Sequence, residues 1–117
     1  MYRRKEEMTT EERSRARDGE GSMFTTTLLT PEELAGSGRL FGRILLPVGA
    51  SLGMHEHVGE YEIYYILSGS ALVNDGEQEV LLGAGDVYLC RDGEQHSLAN
   101  AGDVPMELLA AILYTKG

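Results

Sequence analysis

Cysteine, long apolar runs and targeting signals are scarce or absent in this chain of 117 residues. A single cysteine, Cys90, excludes an internal disulfide and a zinc site built from several cysteines. The longest apolar run, residues 108–114, is far shorter than the roughly 20 residues of a membrane-spanning helix, and no stretch has the pattern of a signal peptide. We therefore expect a cytoplasmic protein that does not bind a membrane.

Positive charge is scarce after residue 22. Residues 1–22 carry six basic and six acidic side chains, whereas residues 23–117 carry four basic and thirteen acidic ones, which accounts for the formal net charge of −9. A surface this acidic repels phosphate backbones, so nucleic acid is a poor candidate for a partner. A small anion that contacts a metal directly is not excluded, because that contact is local.

The length and the 42% hydrophobic content predict one domain with a single core. Residues 1–22 alternate charges and hold few apolar groups, so we expect them to form a flexible charged tail, and residues 23–117 to form the folded domain. This division rests on the lack of apolar groups in residues 1–22, which leaves that segment without a face to bury.

A short helix is predicted near the start of the folded domain. Thr30 and Glu33 have the spacing of a capping box, and Pro31 stands at the first helical position. Gly36 and Gly38 should end this helix after about one turn.

From residue 40 onward, short apolar or alternating runs are separated by glycine, asparagine and aspartate. This punctuation, with almost no helical pattern, predicts an all-β sandwich or small barrel. The sequence "NDGE" at 74–77 is a hairpin signal, because asparagine and glycine accept positive φ. The predicted strands cover residues 40–46, 51–57, 61–67, 70–74, 77–82, 86–91, 95–99 and 106–114.

Two of the three histidines lie two residues apart in one predicted strand. Because successive side chains of a strand alternate, His55 and His57 point to the same face, about 7 Å apart at the backbone. Glu62 follows across the turn at 58–61, where the next strand can return beside the first. A third imidazole, from His96, would complete a mixed nitrogen and oxygen set if a distant strand supplied it. Such a set suits Mn, Fe, Co, Ni or Zn better than Ca or Mg.

The spacing of these residues resembles the two signatures of the cupin superfamily. The first is a glycine, five residues, His-x-His, three or four residues, a glutamate, six residues and a glycine, and it is met between Gly49 and Gly69. The second is a glycine, five residues, Pro-x-Gly, two residues, a histidine, three residues and an asparagine, and it is met between Gly85 and Asn100. Arg91 stands where the family usually has the proline, a departure that removes no ligand.

The resemblance implies a fold and a metal centre. The fold is an all-β double-stranded β-helix, or jelly-roll cupin barrel, over residues 23–117, to which the sequence adds the short helix and the flexible tail. The centre is one divalent transition metal, whose four protein ligands would leave two octahedral positions open for water or a bidentate substrate. The implied ligands are His55, His57, Glu62 and His96.

Several side chains are candidates for work beside the metal. The acid–base candidates are Tyr64, which strand parity puts on the metal side, Glu60 and Glu94. Arg43 and Arg91 could each bind a carboxylate through two parallel hydrogen bonds, or could be surface charges paired with acidic residues.

Two functions are compatible with the resemblance. Small cupins include decarboxylases, dioxygenases, isomerases and lyases, which favours an enzyme that acts on a small oxygen-rich, carboxylate-type substrate. The alternative is a module that holds a small molecule or a metal without turnover. An acid or base beside the open coordination positions would distinguish the two.

A homodimer is expected from the outer face of one strand. Ile63, Tyr65 and Leu67 lie on the non-metal face of the strand at 61–67, and an exposed apolar patch usually marks an interface. The cupin resemblance implies the same, because outer strands of cupins often pair with a partner and N-terminal segments such as 23–29 cross over.

Overall fold

The structure is a computed structural model that describes residues 1–115, and these residues form two antiparallel sheets. Ten strands alternate with turns along the chain, which is the all-β jelly-roll architecture that the sequence predicts. The strands are β1 (Thr10–Ser14), β2 (Ser22–Leu29), β3 (Gly38–Leu46), β4 (Ser51–Glu56), β5 (Glu60–Ser68), β6 (Ala71–Asn74), β7 (Glu79–Leu82), β8 (Val87–Cys90), β9 (Gln95–Asn100) and β10 (Met106–Tyr114).

The two sheets face each other across the core. The larger sheet has the order β1-β2-β3-β10-β5-β8, and the smaller has the order β4-β9-β6-β7. Inward side chains alternate with outward ones, as in β10, where Met106, Leu108 and Ala110 are buried and their neighbours are not. Burial of each large apolar side chain contributes about 1.5–3 kcal/mol, so this alternation decides which face of each strand turns inward.

All eight strands predicted from residue 40 onward are present, with ends that differ by at most two residues. The predicted hairpin is confirmed as the connection of β6 to β7. Gly76 adopts a φ of 93° there, and its N–H donates to the side-chain oxygen of Asn74 at 2.9 Å. The positive φ is the reason that glycine suits this turn.

The predicted helix after Thr30 is not present. The capping pair does form, since the Thr30 N–H donates to the Glu33 carboxylate and the Glu33 N–H donates to the Thr30 hydroxyl. The segment nevertheless consists of turns, because Ala35 and Gly36 take positive φ angles and end the helical rotation after one turn. Helical structure in residues 1–115 is confined to two short 3-10 turns, Lys5–Glu7 and Ala16–Asp18, and no helix there could cross a membrane.

Part of the N-terminal segment, residues 1–22, is integrated into the larger sheet. β1 pairs with β2, and Ala16 is buried in the core. At its start, the Arg3 guanidinium binds the Glu33 carboxylate through two hydrogen bonds and also donates to the Leu28 carbonyl. No sequence pattern predicts this strand, because no residue of β1 is buried and its composition is that of a solvated segment. The boundary at residue 22 and the mobility of the segment stay predictions.

Candidate metal centre

Three neighbouring stretches of chain bring the ligand residues together. His55 of β4 lies directly opposite His96 of β9 in the smaller sheet. His57 follows β4, where its backbone N–H donates to the Glu94 carbonyl and its carbonyl accepts from the Gly93 N–H. Glu62 lies on β5 of the facing sheet and points inward. The distant histidine therefore returns to the pair through the antiparallel pairing of β4 with β9.

The four potential ligand atoms converge on one point. The Nε2 atom of His96 lies 3.1 Å from the Nε2 atoms of both His55 and His57. The Glu62 carboxylate oxygen Oε1 lies 3.0 Å from the His57 Nε2 atom and 3.1 Å from the His96 Nε2 atom. All four ligand atoms lie within 4.8 Å of one another. This group is the set that the sequence predicted, and it could hold a metal ion.

The hydrogen bonds behind the imidazoles fit a cation at this point. The His55 Nδ1 atom lies 2.8 Å from the Gly53 carbonyl, which can only accept, so Nδ1 carries the proton and the Nε2 lone pair faces the centre. The His57 Nδ1 atom lies 2.5 Å from a Glu60 carboxylate oxygen, which orients the neutral form of His57 in the same way. Lone pairs directed at one another repel unless a positive ion lies between them. The donor set therefore fits a divalent transition metal.

Glu60 occupies the position behind His57 and is itself held by Arg39. The Arg39 Nε and one terminal nitrogen donate to the two Glu60 oxygens, each at 2.8 Å. This pairing lowers the pKa of Glu60 to about 2, so the carboxylate is ionised at neutral pH. A carboxylate that accepts from the outer nitrogen of a ligating histidine fixes the ring orientation and strengthens it as a ligand.

Burial and hydrogen bonding have opposite effects on the pKa values of the histidines and the glutamate in this cluster. Burial lowers the pKa of His55, which favours its neutral, ligating form. The hydrogen bond with Glu62 raises the pKa of His57. Burial acts to raise the pKa of Glu62, but the hydrogen bonds with His57 and His96 outweigh it and lower the pKa. Protons and a metal thus compete for the same central position.

The His96 ring lies against two tyrosines of the larger sheet. Its plane is 18° from the planes of Tyr64 and Tyr88, with ring centroids 5.3 and 5.6 Å away. Among residues 1–115, the His96 Nδ1 atom and the Tyr64 hydroxyl are the buried side-chain polar atoms without a hydrogen-bond partner. Burial raises the pKa of Tyr64 well above its usual value and that of the buried Cys90 to about 11, so both groups are neutral at physiological pH.

A cavity of about 350 Å³ is bounded by three of the four ligand residues and by the N-terminal segment. Alternate residues of β1 line its wall. The residues of β2 that pair with them in the sheet line the wall as well. Three arginines lie in this wall, none of which the sequence analysis proposed as an anion-binding residue. The charged and histidine residues of the wall are Glu11, Arg13, Arg17, Arg39, His55, His57 and Glu62.

The arginines and the glutamate proposed from sequence lie elsewhere. Arg43 is on the outer face of β3, because it neighbours the inward Ile44, and its guanidinium lies 3.2 Å from the Glu107 carboxylate. Arg91 is in the exposed turn before β9, where its N–H donates to the Glu94 carboxylate. This turn closes without the proline that is usual in cupins. Neither arginine is part of the cavity wall that the structure describes.

Close backbone contacts fix the segment that carries Arg17. A Cβ atom on Gly53 would lie 1.9 Å from the Arg17 carbonyl oxygen, and one on Gly19 would lie 2.1 Å from the Ser51 carbonyl oxygen. The Ser51 N–H and hydroxyl also bond to the backbone of Glu20. The only sequence signal for this segment was the density of arginines in residues 13–17, in a chain otherwise poor in positive charge.

The backbone of this segment is also strained. Arg15, Arg17 and Asp18 adopt φ angles of 53–63°, in the left-handed region that costs non-glycine residues about 1–2 kcal/mol each. Such conformations persist where surrounding structure imposes them, and they cluster at functional sites. The close packing of Gly19 and Gly53 supplies that constraint here.

Comparison with known proteins agrees with this geometry. The family profile described as "Cupin domain" matches residues 42–112. The chain is 42% identical to a Thermotoga maritima protein named "Oxalate-binding protein", over 97% of this chain and 93% of the relative. It also resembles the crystal structure of a predicted oxalate decarboxylase from Thermotoga maritima, with a TM-score of 0.93, 42% identity and coverage of 97% of this chain and 99% of that one.

A more distant structure supports the fold alone. KdgF from Halomonas sp. superposes with a TM-score of 0.76 over all of this chain and 96% of its own, at 13% identity. The architecture is therefore retained where little sequence similarity is left.

Proposed function

The chain belongs to the cupin family, and from that premise we propose that it binds a small carboxylate of the oxalate type at a mononuclear metal centre. The observation that carries the proposal is the convergence of three imidazole nitrogens and one carboxylate oxygen within 4.8 Å. The proposed ligands are His55, His57, Glu62 and His96. The predicted metals are Mn, Fe, Ni, Co and Zn, because this donor set suits all of them.

The chemistry divides between the ion and the protein side chains. When bound, a divalent metal would supply a positive centre with open positions that favour a chelating oxygen anion. Glu60, itself fixed by Arg39, holds His57 in the orientation that points Nε2 inward. Tyr64 and Tyr88 pack against the His96 ring and exclude water from that side. The names of the Thermotoga maritima relatives support oxalate as the first ligand to test.

Turnover is a second candidate function. The similar structure described as a predicted oxalate decarboxylase favours it, and Glu11 adds a carboxylate to the cavity wall. Of the acid–base residues predicted from sequence, Glu60 lies behind His57, Tyr64 is fully buried, and Glu94 is exposed and bonded to the backbone of Arg91. These placements favour a positioning role for Glu60, and they make binding without turnover the better-supported function.

Calorimetric titration tests the binding proposal. Metal-loaded and metal-free protein would each be titrated with oxalate and with a neutral sugar of similar size. We expect oxalate to bind the metal-loaded protein alone, since the contact with the metal is direct. Equal affinity for oxalate with and without metal would contradict the proposal. Release of carbon dioxide from oxalate by the loaded protein would establish the enzyme instead.

We also propose that the protein is a homodimer in the cytoplasm. β5 and β8 expose a continuous apolar strip on the outer face of the larger sheet, in which Val87 is 65% and Tyr65 is 44% exposed. Covering such a strip with a second copy would remove apolar area from water, and twofold dimers are the commonest closed assembly. A sedimentation mass equal to one chain at micromolar concentration would refute the dimer.

A further inference from the structure

Two arginines of the cavity wall have no acidic partner within residues 1–115. Among residues 1–115, no carboxylate oxygen lies within 4.0 Å of the guanidinium of Arg13 or of Arg17, and neither donates a side-chain hydrogen bond. Arg39, the third arginine of the wall, differs because Glu60 already engages it through two hydrogen bonds. Arg13 and Arg17 are therefore available to a ligand in the cavity.

The local charge of the cavity is far less negative than that of the chain as a whole. The wall contains three arginines and two carboxylates, Glu11 and Glu62. Glu60 lies behind the wall and pairs with Arg39, so positive and negative side chains balance before any metal is counted. The chain carries a net charge of −9, but exposed charges more than about 8–10 Å away are screened at physiological salt. A divalent ion among the histidines would add to the positive side. An anion inside the cavity thus meets an attractive environment in an otherwise acidic protein.

The two guanidinium groups are carried by backbone that the fold holds in place. Arg13 lies on the same face of β1 as Glu11, and both line the cavity; Arg13 pairs with Met23, another residue of the wall. Arg17 belongs to the strained segment whose carbonyl packs against Gly53. Side chains on fixed backbone lose less freedom when they bind a ligand, which favours recognition over loose attraction.

We infer that Arg13 and Arg17 recognise the anionic oxygens of the ligand that face away from the metal, and that they select diacids over monoacids. The inference rests on the proposed function, because it assumes that the ligand's other oxygens contact a metal held by the histidines. A diacid that chelates through one oxygen of each carboxylate leaves its remaining oxygens directed away from the ion. Guanidinium groups fit such oxygens through charge-assisted, paired hydrogen bonds.

Oxalate and oxamate provide the probe for this selection. Oxamate has the same size, but one carboxylate is replaced by a neutral amide whose nitrogen cannot accept a hydrogen bond from arginine. Both molecules can still chelate a metal through two oxygens. The two anions also differ in charge and in their affinity for the metal, so recognition of the outward oxygens is reported by the change in the ratio of their affinities between the parent protein and an arginine variant.

The test compares three charge-neutralising variants of the metal-loaded protein by calorimetry. Arg13→Gln and Arg17→Gln should each weaken oxalate binding by about 10-fold or more, and oxamate binding by less, because each removes a charge-assisted hydrogen bond. Arg15→Gln is the matched control. It removes the same charge at a residue that lies between Arg13 and Arg17 in the sequence but outside the cavity wall. It should leave both affinities within about twofold of the parent protein, as expected for a surface charge. Metal content should be the same in all variants.

Each outcome separates the inference from the proposed function. If the metal-loaded parent protein binds neither acid, the proposed function fails. If the parent binds oxalate while Arg13→Gln and Arg17→Gln keep its affinity and its preference over oxamate, the inference alone is overturned. An equal loss in Arg15→Gln would also overturn it, because general charge would then explain the effect. Should circular dichroism show that Arg17→Gln is misfolded, Arg13→Gln and the charge-retaining Arg17→Lys would decide the matter.

Discussion

The barrel and the N-terminal segment contribute to the same cavity in different ways. The barrel provides four buried or half-buried candidate ligand residues, three of them on regular strands and His57 directly after β4. Residues 1–22 provide two exposed arginines, on a short edge strand and a strained 3-10 turn. The difference shows that the candidate metal centre is built into the core of the fold, whereas the charge around its cavity depends on a peripheral segment that packs against that core.

The largest expected effect is the loss of a metal ligand from the barrel. His96→Ala should weaken metal binding by more than the roughly 10–100-fold caused by losing an outer partner of a ligand, because one of four ligands disappears. Elemental analysis of protein purified without chelators measures it, and circular dichroism should report an intact β-fold. Gln95→Ala, at the exposed neighbouring residue, is the control. A metal stoichiometry near one in His96→Ala would refute the ligand assignment.

The next largest effect on metal affinity is expected from removing the charge of Glu60, whose carboxylate bonds to the outer nitrogen of His57. Glu60→Gln keeps the shape of the side chain but removes the charge that orients His57 and binds Arg39, so we expect metal affinity to fall by about 10–100-fold. Competition with a chromophoric chelator measures the affinity. Glu56→Gln, an exposed carboxylate beside His57, should change it little. Equal affinities in the two variants would show that Glu60 has no positioning role.

Displacing the N-terminal segment should affect anion binding more than metal binding. Gly19→Ala places a Cβ atom 2.1 Å from the Ser51 carbonyl oxygen, so the segment must shift, at a cost of about 1–3 kcal/mol in the free energy of unfolding. Oxalate affinity should fall with this shift while metal content is retained. Gly83→Ala, where nothing lies within 4 Å of the new atom, is the matched control. If Gly19→Ala loses metal as well, the two regions are not separable.

The smallest effect on oxalate binding is expected at Arg43, which was proposed from the sequence to bind a carboxylate but lies outside the cavity wall. Arg43→Gln removes an exposed ion pair with Glu107, which contributes about 0–1 kcal/mol to stability. Oxalate affinity, measured by the same calorimetry, should change by less than about twofold. A tenfold loss of oxalate affinity would indicate that Arg43 contacts the ligand, and it would contradict the proposal that arginines of the N-terminal segment recognise it.

The strands and the group of four residues that could hold a metal ion were predictable because both depend on short-range patterns. Apolar alternation and turn residues indicated β3 to β10 to within two residues. The same alternation, counted from Glu62, also put Tyr64 on the inner side, where its ring lies against His96. In these stretches, the physical rule that side chains of a strand alternate is nearly sufficient by itself.

The surroundings of the metal centre could not be predicted in the same way. Glu60 lies behind His57 because β5 returns at one particular distance, and Arg39 reaches it from β3, a strand not adjacent to β5 in the sheet. Arg43 points outward by its parity with Ile44, but parity alone does not say which face of β3 meets the cavity. These placements depend on the packing of one sheet against another.

The sequence by itself determined that residues 40–114 form short strands and that three histidines and a glutamate stand at the spacing of a cupin metal site. Only the tertiary structure decided where the scarce positive charge goes. The pairing of β1 with β2 and the contacts of Gly19 and Gly53 with the neighbouring backbone bring Arg13 and Arg17 into the cavity wall. No local pattern encodes that result, because it depends on contacts between residues 8 to 36 positions apart, whereas strand alternation and motif spacing act within a few residues of chain.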